Sequence, residues 1–317
     1  MGDKRGIRRG IWQADADGIA RAVDVLRDGG LVALPTETVY GLAARADSAD
    51  AVAAIYRTKG RPDFNPLIVH VASLAMARGL GSFDSRAEQV AASYWPGPLT
   101  LVVPLADDAP VAAAVTAGLP TIALRQPAHR VAARVLAELD LPLAAPSANR
   151  SNAISPTCAE HVLQSFGKDS PPVLDGGACE AGLESTILAL RPEGSWSLLR
   201  PGPIAEGELA EILGPPEKSR GATSIEAPGQ LLRHYSPGKP VHLDCRLPRP
   251  GCFMIGLGDI SGDANLSPSG DLAEAAARLY ECLHLGAASQ ASEICIAPVP
   301  DTGIGAAIND RLRRAAR

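Results

Sequence analysis

Between residues 214 and 238 the chain sheds most of its apolar side chains. It runs Gly214-Pro215-Pro216-Glu217-Lys218-Ser219-Arg220-Gly221-Ala222-Thr223-Ser224, then Ala227-Pro228-Gly229 and Ser236-Pro237-Gly238. A run this rich in breakers reads as a connection, and about two dozen residues is long for a loop inside one compact domain. A fold is therefore expected on each side of it. The length agrees, because 317 residues exceed one average domain but are short for three. The middle of the connection carries Leu231, Leu232, Arg233, His234 and Tyr235, which a passive spacer does not need. This linker is expected to dock onto something.

Before the linker, helical and strand patterns alternate irregularly. Helical periodicity falls on residues 16–28, 48–58, 86–94, 129–139, 158–166 and 206–213. Ser85-x-x-Glu88 and Thr157-x-x-Glu160 read as capping boxes, and Gly214 as a helix stop. Strand patterns fall on residues 31–34, 67–71, 99–103, 121–125, 143–145, 185–190 and 197–200. The order fits a mixed twisted sheet with helices packed on it better than a repeating βαβ array. After the linker, strands at 240–244, 252–256 and 293–297 and helices at 272–285 and 305–316 suggest a small α/β domain. Gly256-Leu257-Gly258 follows a strand there, but Ser261 stands at the sixth position and no helix opens, so the dinucleotide fingerprint fails. Gly303-Ile304-Gly305 opens a helix without a third glycine or a downstream acid. Both read as turns.

Composition and termini exclude several classes. With 46% hydrophobic but only 4% aromatic residues, the core is aliphatic and there is little surface on which to stack bases. A net charge of -5 confines any nucleic-acid contact to a local basic patch. The opening residues are too polar for a signal peptide, Gly6 spoils a myristoylation pattern, and no stretch nears the roughly 20 apolar residues of a membrane span. A cytoplasmic protein is expected. The six cysteines are scattered without a Cys-x-x-Cys pair and read as reduced thiols. Cys158-x-x-His161 and His242-x-x-Cys245 could supply four zinc ligands only if the fold joined them, so no metal site is expected.

The chemistry concentrates between residues 35 and 70, where Pro35-Thr36-Glu37-Thr38-Val39-Tyr40-Gly41-Leu42 leads to Lys59-Gly60-Arg61-Pro62 and Asn65-Pro66-Leu67-Ile68-Val69-His70. Cations near a helix carboxyl end are favoured by the macrodipole alone. Pro62, however, pushes Arg61 out of the helical region, so Lys59-Gly60-Arg61 is expected to be extended, with its two cations roughly 6 to 7 Å apart. That spacing suits neighbouring phosphates, or a phosphate and a carboxylate. On the alternating segment 121–125, Thr121 and Arg125 share a face roughly 13 Å apart, one ligand group to each end. Ala145-Pro146-Ser147-Ala148-Asn149, continuing to Ser155, and Gly182-Leu183-Glu184-Ser185-Thr186 each bring small hydroxyl and amide groups to a strand end. His70, after an apolar strand, reads first as a structural histidine. No Gly-x-Ser-x-Gly elbow, Walker loop or His-Glu-x-x-His is present. What remains suits catalysis by positioning anions.

Taken together, the 35–42 segment, Lys59-x-Arg61-Pro62, the 65–70 segment, Trp95-Pro96-Gly97-Pro98-Leu99-Thr100, Pro146-Ser147-Ala148-Asn149 and Leu183-Glu184-Ser185-Thr186 resemble the YrdC/Sua5 family. The linker, with Arg233-His234-Tyr235-Ser236-Pro237, and the last helix are similar to those of the two-domain Sua5 type. The resemblance implies an α/β (α+β) fold: an extension at 1–12, a twisted mixed-sheet YrdC-like catalytic domain at 13–215, a linker or lid at 216–238 and a small Rossmann-like α/β Sua5 domain at 239–317. It implies a threonylcarbamoyl-AMP synthase, which turns L-threonine, bicarbonate or CO2, and ATP into threonylcarbamoyl-adenylate and pyrophosphate. That intermediate feeds N6-threonylcarbamoyladenosine formation in tRNAs reading codons that begin with A.

By matched position the resemblance implies that Lys59 and Arg61 hold the triphosphate, with Thr121, Ser147, Asn149 and Ser155 around the nucleotide and Arg200 and Tyr235 closing on it. Arg125 would clamp the threonine carboxylate, helped by Thr36, His70, Ala145 and Ser185, with Tyr40 lining the pocket. Mg2+ would be held mainly by phosphates, and a t6A transferase complex of the TsaD/Kae1 type would receive the product, with a tRNA contact and no membrane. Two other classes fit less well: an RNA-binding or ribosome-associated module using this fold, and a carbamoyl-transfer relative of the hydrogenase-maturation type, whose acylphosphatase and zinc-finger segments are missing.

Overall fold

The computed structural model describes residues 10–217, 226–227 and 234–317. In chain order the first unit comprises β1 (Ile11–Gln13), α1 (Ala16–Arg27), β2 (Val32–Leu34), β3 (Gly41–Arg45), α2 (Ala49–Lys59), β4 (Ile68–His70), α3 (Leu74–Arg78) and α4 (Ser85–Tyr94). It continues through β5 (Leu99–Pro104), α5 (Ala113–Thr116), β6 (Thr121–Arg125), α6 (Arg130–Leu139), β7 (Leu143–Ala144) and α7 (Ala159–Phe166). The strands β8 (Val173–Asp175), β9 (Thr186–Leu190) and β10 (Trp196–Arg200) and the helix α8 (Glu206–Leu213) complete it. Ten strands form one sheet in the order β1-β8-β2-β3-β7-β4-β6-β5-β9-β10, mixing parallel and antiparallel pairs.

The second unit is a four-stranded parallel sheet. Its strands β11 (Val241–His242), β12 (Cys252–Gly256), β13 (Ala264–Asn265) and β14 (Glu293–Ile296) lie in the order β11-β14-β12-β13, with α9 (Leu272–Ala288) and α10 (Gly305–Ala315) as its helices. The space beside Gly256 and Gly305 is filled by the backbone at Ile260 and Pro300. Both glycines serve close turns of their own chain.

Local chemistry explains the elements, including those that differ from the sequence patterns. Asp15 caps α1, whose Ile19, Ala22, Val23 and Leu26 bury one face. The strand Ile11–Gln13 pairs in parallel with β8, and Trp12 packs against Ile19 and Leu174, so residues 11 and 12 belong to the sheet and not to an extension. The helix α4 is capped by Asp84, which accepts from Arg86 and Ala87 N–H, one residue ahead of the expected Ser85 box. Cys158 precedes α7 without a side-chain cap, because the Thr157 hydroxyl is engaged with His161 Nδ1 at 3.3 Å. At the end of α2, Gly60 is left-handed at φ 60° and ψ 38°, and Arg61 N–H bonds back to Tyr56 O. The expected extended Lys59-Gly60-Arg61 is thus a helix stop.

The two halves of the zinc pattern are engaged elsewhere. His161 stacks on His284 with ring centres 3.7 Å apart, and His242 Nε2 meets Glu293 Oε2 at 2.9 Å. All six cysteines are free thiols.

Candidate active site

Strand register builds the centre of the site. The strands β4 and β6 run parallel with His70 opposite Arg125, so both side chains start from the same sheet end. An isolated bridge between Gly41 and Ser147 brings the loop after β7 against the start of β3. Around this end lies a cavity open to solvent. Of the expected residues, Thr36, Arg61, His70, Arg125, Ala145, Ser147, Ser185, Arg200 and Tyr235 line it. Thr38, Val39, Gly41, Ile68, Pro146, Glu184 and His234 join them.

Arg125 is held on three sides. Its Nε donates to Gly97 O at 3.2 Å, Nη1 to Thr38 Oγ1 at 2.8 Å and Nη2 to Glu37 Oε1 at 2.7 Å. Glu37 is fixed in turn by the N–H groups of Ala128 and His129. Burial would raise the Glu37 carboxyl, but the Arg125 charge and hydrogen bond hold it below its usual range. The Thr36 hydroxyl donates to Val39 O at 2.7 Å and accepts from Thr38 and Val39 N–H, locking the loop that faces Arg125. Burial, and then the Arg125 charge, push His70 down to about 3, so its imidazole is neutral at physiological pH.

The same cavity is lined by Arg61, Arg200 and the linker residues His234 and Tyr235. Arg61 donates from Nε to Asn65 O and from Nη2 to Pro66 O. Burial pulls it down to about 10, which leaves it cationic at neutral pH. Arg200 donates from Nε to Ser185 O and from Nη2 to Ser185 Oγ, both at 3.0 Å, and Thr100 Oγ1 lies 2.7 Å from the same hydroxyl. Lys59 sits one layer back. Its Nζ donates to Ser147 O at 2.5 Å and Asn149 O at 2.6 Å, bracing the loop that Ser147 presents to the cavity. Burial, and then the Arg61 charge, lower the Lys59 ammonium well below its ordinary value, a cost that an arriving anion would relieve.

Besides Lys59, four expected residues sit outside the lining. Asn149 and Ser155 stand behind the wall, where Asn149 Nδ2 donates to Arg150 O and Ala153 O and the Ser155 hydroxyl donates to Glu184 Oε1. Tyr40 turns away from the cavity: its hydroxyl donates to Gly177 O at 2.8 Å and accepts from Gly176 N–H, pinning the loop after β8. Thr121 is at the far end of β6, opposite Pro104. Its spacing from Arg125 is real, but the cavity lies at the Arg125 end alone. Leu231, Leu232 and Arg233 fall outside the described residues.

Glu37, Glu184 and His234 also belong to the site, although the motifs that contain them do not single them out as functional groups. The signal for the two acids was a carboxylate set within a buried, hydroxyl-rich loop, which needs a buried cation. For Glu37 that cation is Arg125, and for Glu184 it is Arg311, whose Nε lies 2.9 Å away.

A mixed α/β sheet whose strand ends gather three arginines, hydroxyl loops and a linker from a second α/β unit around one cavity defines a class: a small-molecule enzyme that handles anions. A family model described as "Telomere recombination", covering Sua5, YciO and YrdC, matches residues 24–202. One described as "Threonylcarbamoyl-AMP synthase, C-terminal domain" matches residues 204–317. Threonylcarbamoyl-AMP synthase of Bacillus subtilis (strain 168) is 37% identical over 322 residues, spanning 94% of this chain and 92% of that one. The namesake from Pyrococcus abyssi is 36% identical over 319 residues, spanning 93% and 92%. The crystal structure of P. abyssi Sua5 complexed with L-threonine superposes with a TM-score of 0.87 at 34% identity, covering 96% of each chain. The chain belongs to the Sua5/YrdC family, in its two-domain Sua5 form.

Proposed function

We infer that the chain is an L-threonylcarbamoyladenylate synthase, converting L-threonine, bicarbonate or CO2, and ATP into threonylcarbamoyl-AMP and pyrophosphate. The observation that carries this reading is one cavity lined by three cations, Arg61, Arg125 and Arg200, together with Thr36, His70, Ala145, Ser147 and Ser185. Two anionic substrates must meet in this reaction, and their repulsion is the obstacle that such a pocket removes. The amine of threonine becomes a carbamate, a carbamate oxygen attacks the α-phosphorus of ATP, and pyrophosphate leaves with the bridging electron pair. Arg125 takes the threonine carboxylate, while neutral His70 and the Thr36 loop shape the space for the side chain. Arg61 and Arg200 take the phosphates, with Lys59 lending charge through the Ser147–Asn149 loop and Ser155 bracing the wall. Tyr235 and His234 close the nucleotide side, which makes the linker a lid.

Mg2+ enters with the nucleotide in this reading. Glu184 in the lining and Glu37 behind Arg125 are each committed to an arginine, so phosphates and water would supply most of its ligands. No described helix is long and apolar enough to cross a membrane. The cytoplasm supplies ATP, threonine and tRNA together, and a t6A transferase of the TsaD/Kae1 type consumes the adenylate.

The test is pyrophosphate release from purified protein, ATP and bicarbonate with each amino acid singly. A threonine-specific signal, lost in Arg125→Ala and Lys59→Ala proteins that retain their circular dichroism, is expected. Threonine-independent behaviour with salt-sensitive RNA binding would favour the RNA-binding reading instead.

A further inference from the structure

Glu184 places a carboxylate in the cavity wall on the side assigned above to the nucleotide. Unpaired, it would repel a triphosphate, and its neutralising partner comes from the second unit. Arg311 on α10 is completely buried and donates from Nε to Glu184 Oε2 at 2.9 Å. The Tyr280 hydroxyl, on α9, lies 2.8 Å from Oε2 and 3.0 Å from Oε1 of the same carboxylate. The Arg311 guanidinium reaches two further parts of the wall. Its Nη2 donates to Pro201 O at 2.9 Å, next in chain to Arg200, and its Cζ lies 5.5 Å from the centre of the Tyr235 ring. Asp310 accepts from Nη1 at 2.7 Å.

We propose that Arg311, with Tyr280, is a positioning residue supplied by the C-terminal unit: it cancels the Glu184 charge and fixes Pro201 and Tyr235, so that Arg200 and the linker can face the nucleotide. The sequence carries a trace of this role. Ile308, Arg311, Leu312 and Ala315 share the buried stripe of α10, where an arginine is out of place unless it has a buried partner. Burial alone would raise the Glu184 carboxyl, but Arg311 and Arg200 hold it down at about 2, so the charge needing cancellation is present throughout the neutral range. On this geometry the small domain is part of the ATP site and not an appendage.

The proposal rests on the synthase reading, and the assay separates the two. Threonine-dependent pyrophosphate release is measured for the full-length chain and its variants. Arg311→Met is expected to raise the KM for ATP about tenfold or more, against a change of less than about threefold for threonine. Adding Glu184→Gln to Arg311→Met is expected to restore much of the ATP KM, because the bare carboxylate is gone; a purely structural arginine would not be rescued this way. Tyr280→Phe, which keeps the ring, is expected to raise the ATP KM by a smaller factor, and Arg311→Lys to lie between the wild type and Arg311→Met. An unchanged ATP KM in Arg311→Met, or equal rises in both KM values without rescue, overturns the proposal. If Arg311→Met does not fold, unchanged ATP KM in both Tyr280→Phe and Arg311→Lys overturns it. A wild-type protein without threonine-dependent turnover would instead remove the synthase reading.

Discussion

Arg125 Nη2 lies 2.7 Å from Glu37 Oε1, with only 4% and 10% of the two side chains exposed. The group proposed to receive the threonine carboxylate is therefore already aimed. Three of the five guanidinium N–H donors are spent on Gly97, Thr38 and Glu37, which leaves two for an incoming carboxylate in a fixed plane. Glu37→Ala is expected to free the guanidinium and leave a buried charge unpaired, at about 3–5 kcal/mol of stability. Threonine KM should rise by about tenfold or more with ATP KM nearly unchanged, and urea unfolding should report the stability loss. A variant with normal threonine KM would show that Arg125 needs no such support.

Acid should loosen the junction between the units before it protonates their carboxylates. His161 and His284 stack across that junction, and His284 Nε2 lies 3.2 Å from Ser155 O. Burial lowers both imidazoles to about 4, with the neighbouring His161 adding to the shift of His284. The unfolded chain binds these protons near pH 6.5 and the folded chain only near 4, so stability is full above about pH 6.5 and declines as pH falls through this window. His70 and His234, each lowered to about 3, act in the same direction. A melting temperature that falls by several degrees between pH 7 and pH 5, and falls less in His284→Phe, is expected. A flat profile in the wild type would contradict this account of the stack.

Most strands and helices, and the gathering of Arg61, Arg125, Ser147 and Ser185, were legible because each depends on local periodicity or on a quoted motif. The strand β3 was not, since Gly41-Leu42-Ala43-Ala44-Arg45 has neither alternation nor β-branched residues and becomes a strand only between β2 and β7. Tyr40 was misplaced for a related reason. A motif fixes which residues are near the site but not which way a ring turns, and the loop after β8 offered its hydroxyl better partners. Thr121 was placed by strand spacing, which gives distance along a face but not which end holds the cavity. Arg311 was hidden in the basic run Arg311-Leu312-Arg313-Arg314, where its neighbours Arg313 and Arg314 form the commoner solvated or surface-paired kind.

Gly182 should be as intolerant of substitution as any cavity residue. Its φ is +63°, and a Cβ there would overlap the Ala277 backbone on α9, so the loop leading to Glu184 can approach the second unit only as glycine. Gly182→Ala is expected to cost about 2–4 kcal/mol and to push the loop away from Tyr280 and Arg311. Its ATP KM should rise along with a lowered melting temperature. Full stability in Gly182→Ala would mean the junction can relax without penalty.

The linker's seat makes the lid testable without touching any charged group of the pocket. Ala227 is fully buried against Ile68, Val102, Ala123, Ile187 and Ala189, on the sheet face beside the cavity that Ile68 also lines. A larger polar side chain has no room there and no buried partner, so Ala227→Gln should lift the linker from its seat while the strands beneath keep their own ladders. Cleavage by a protease within residues 214–238 is then expected to accelerate, and the KM for ATP to rise several-fold. Threonine KM should move less, because Arg125, Glu37 and Thr38 hold one another without the linker. If Ala227→Gln leaves both proteolysis and ATP KM unchanged, the docked linker is a passive tether and closure of the nucleotide side must come from His234 and Tyr235 alone.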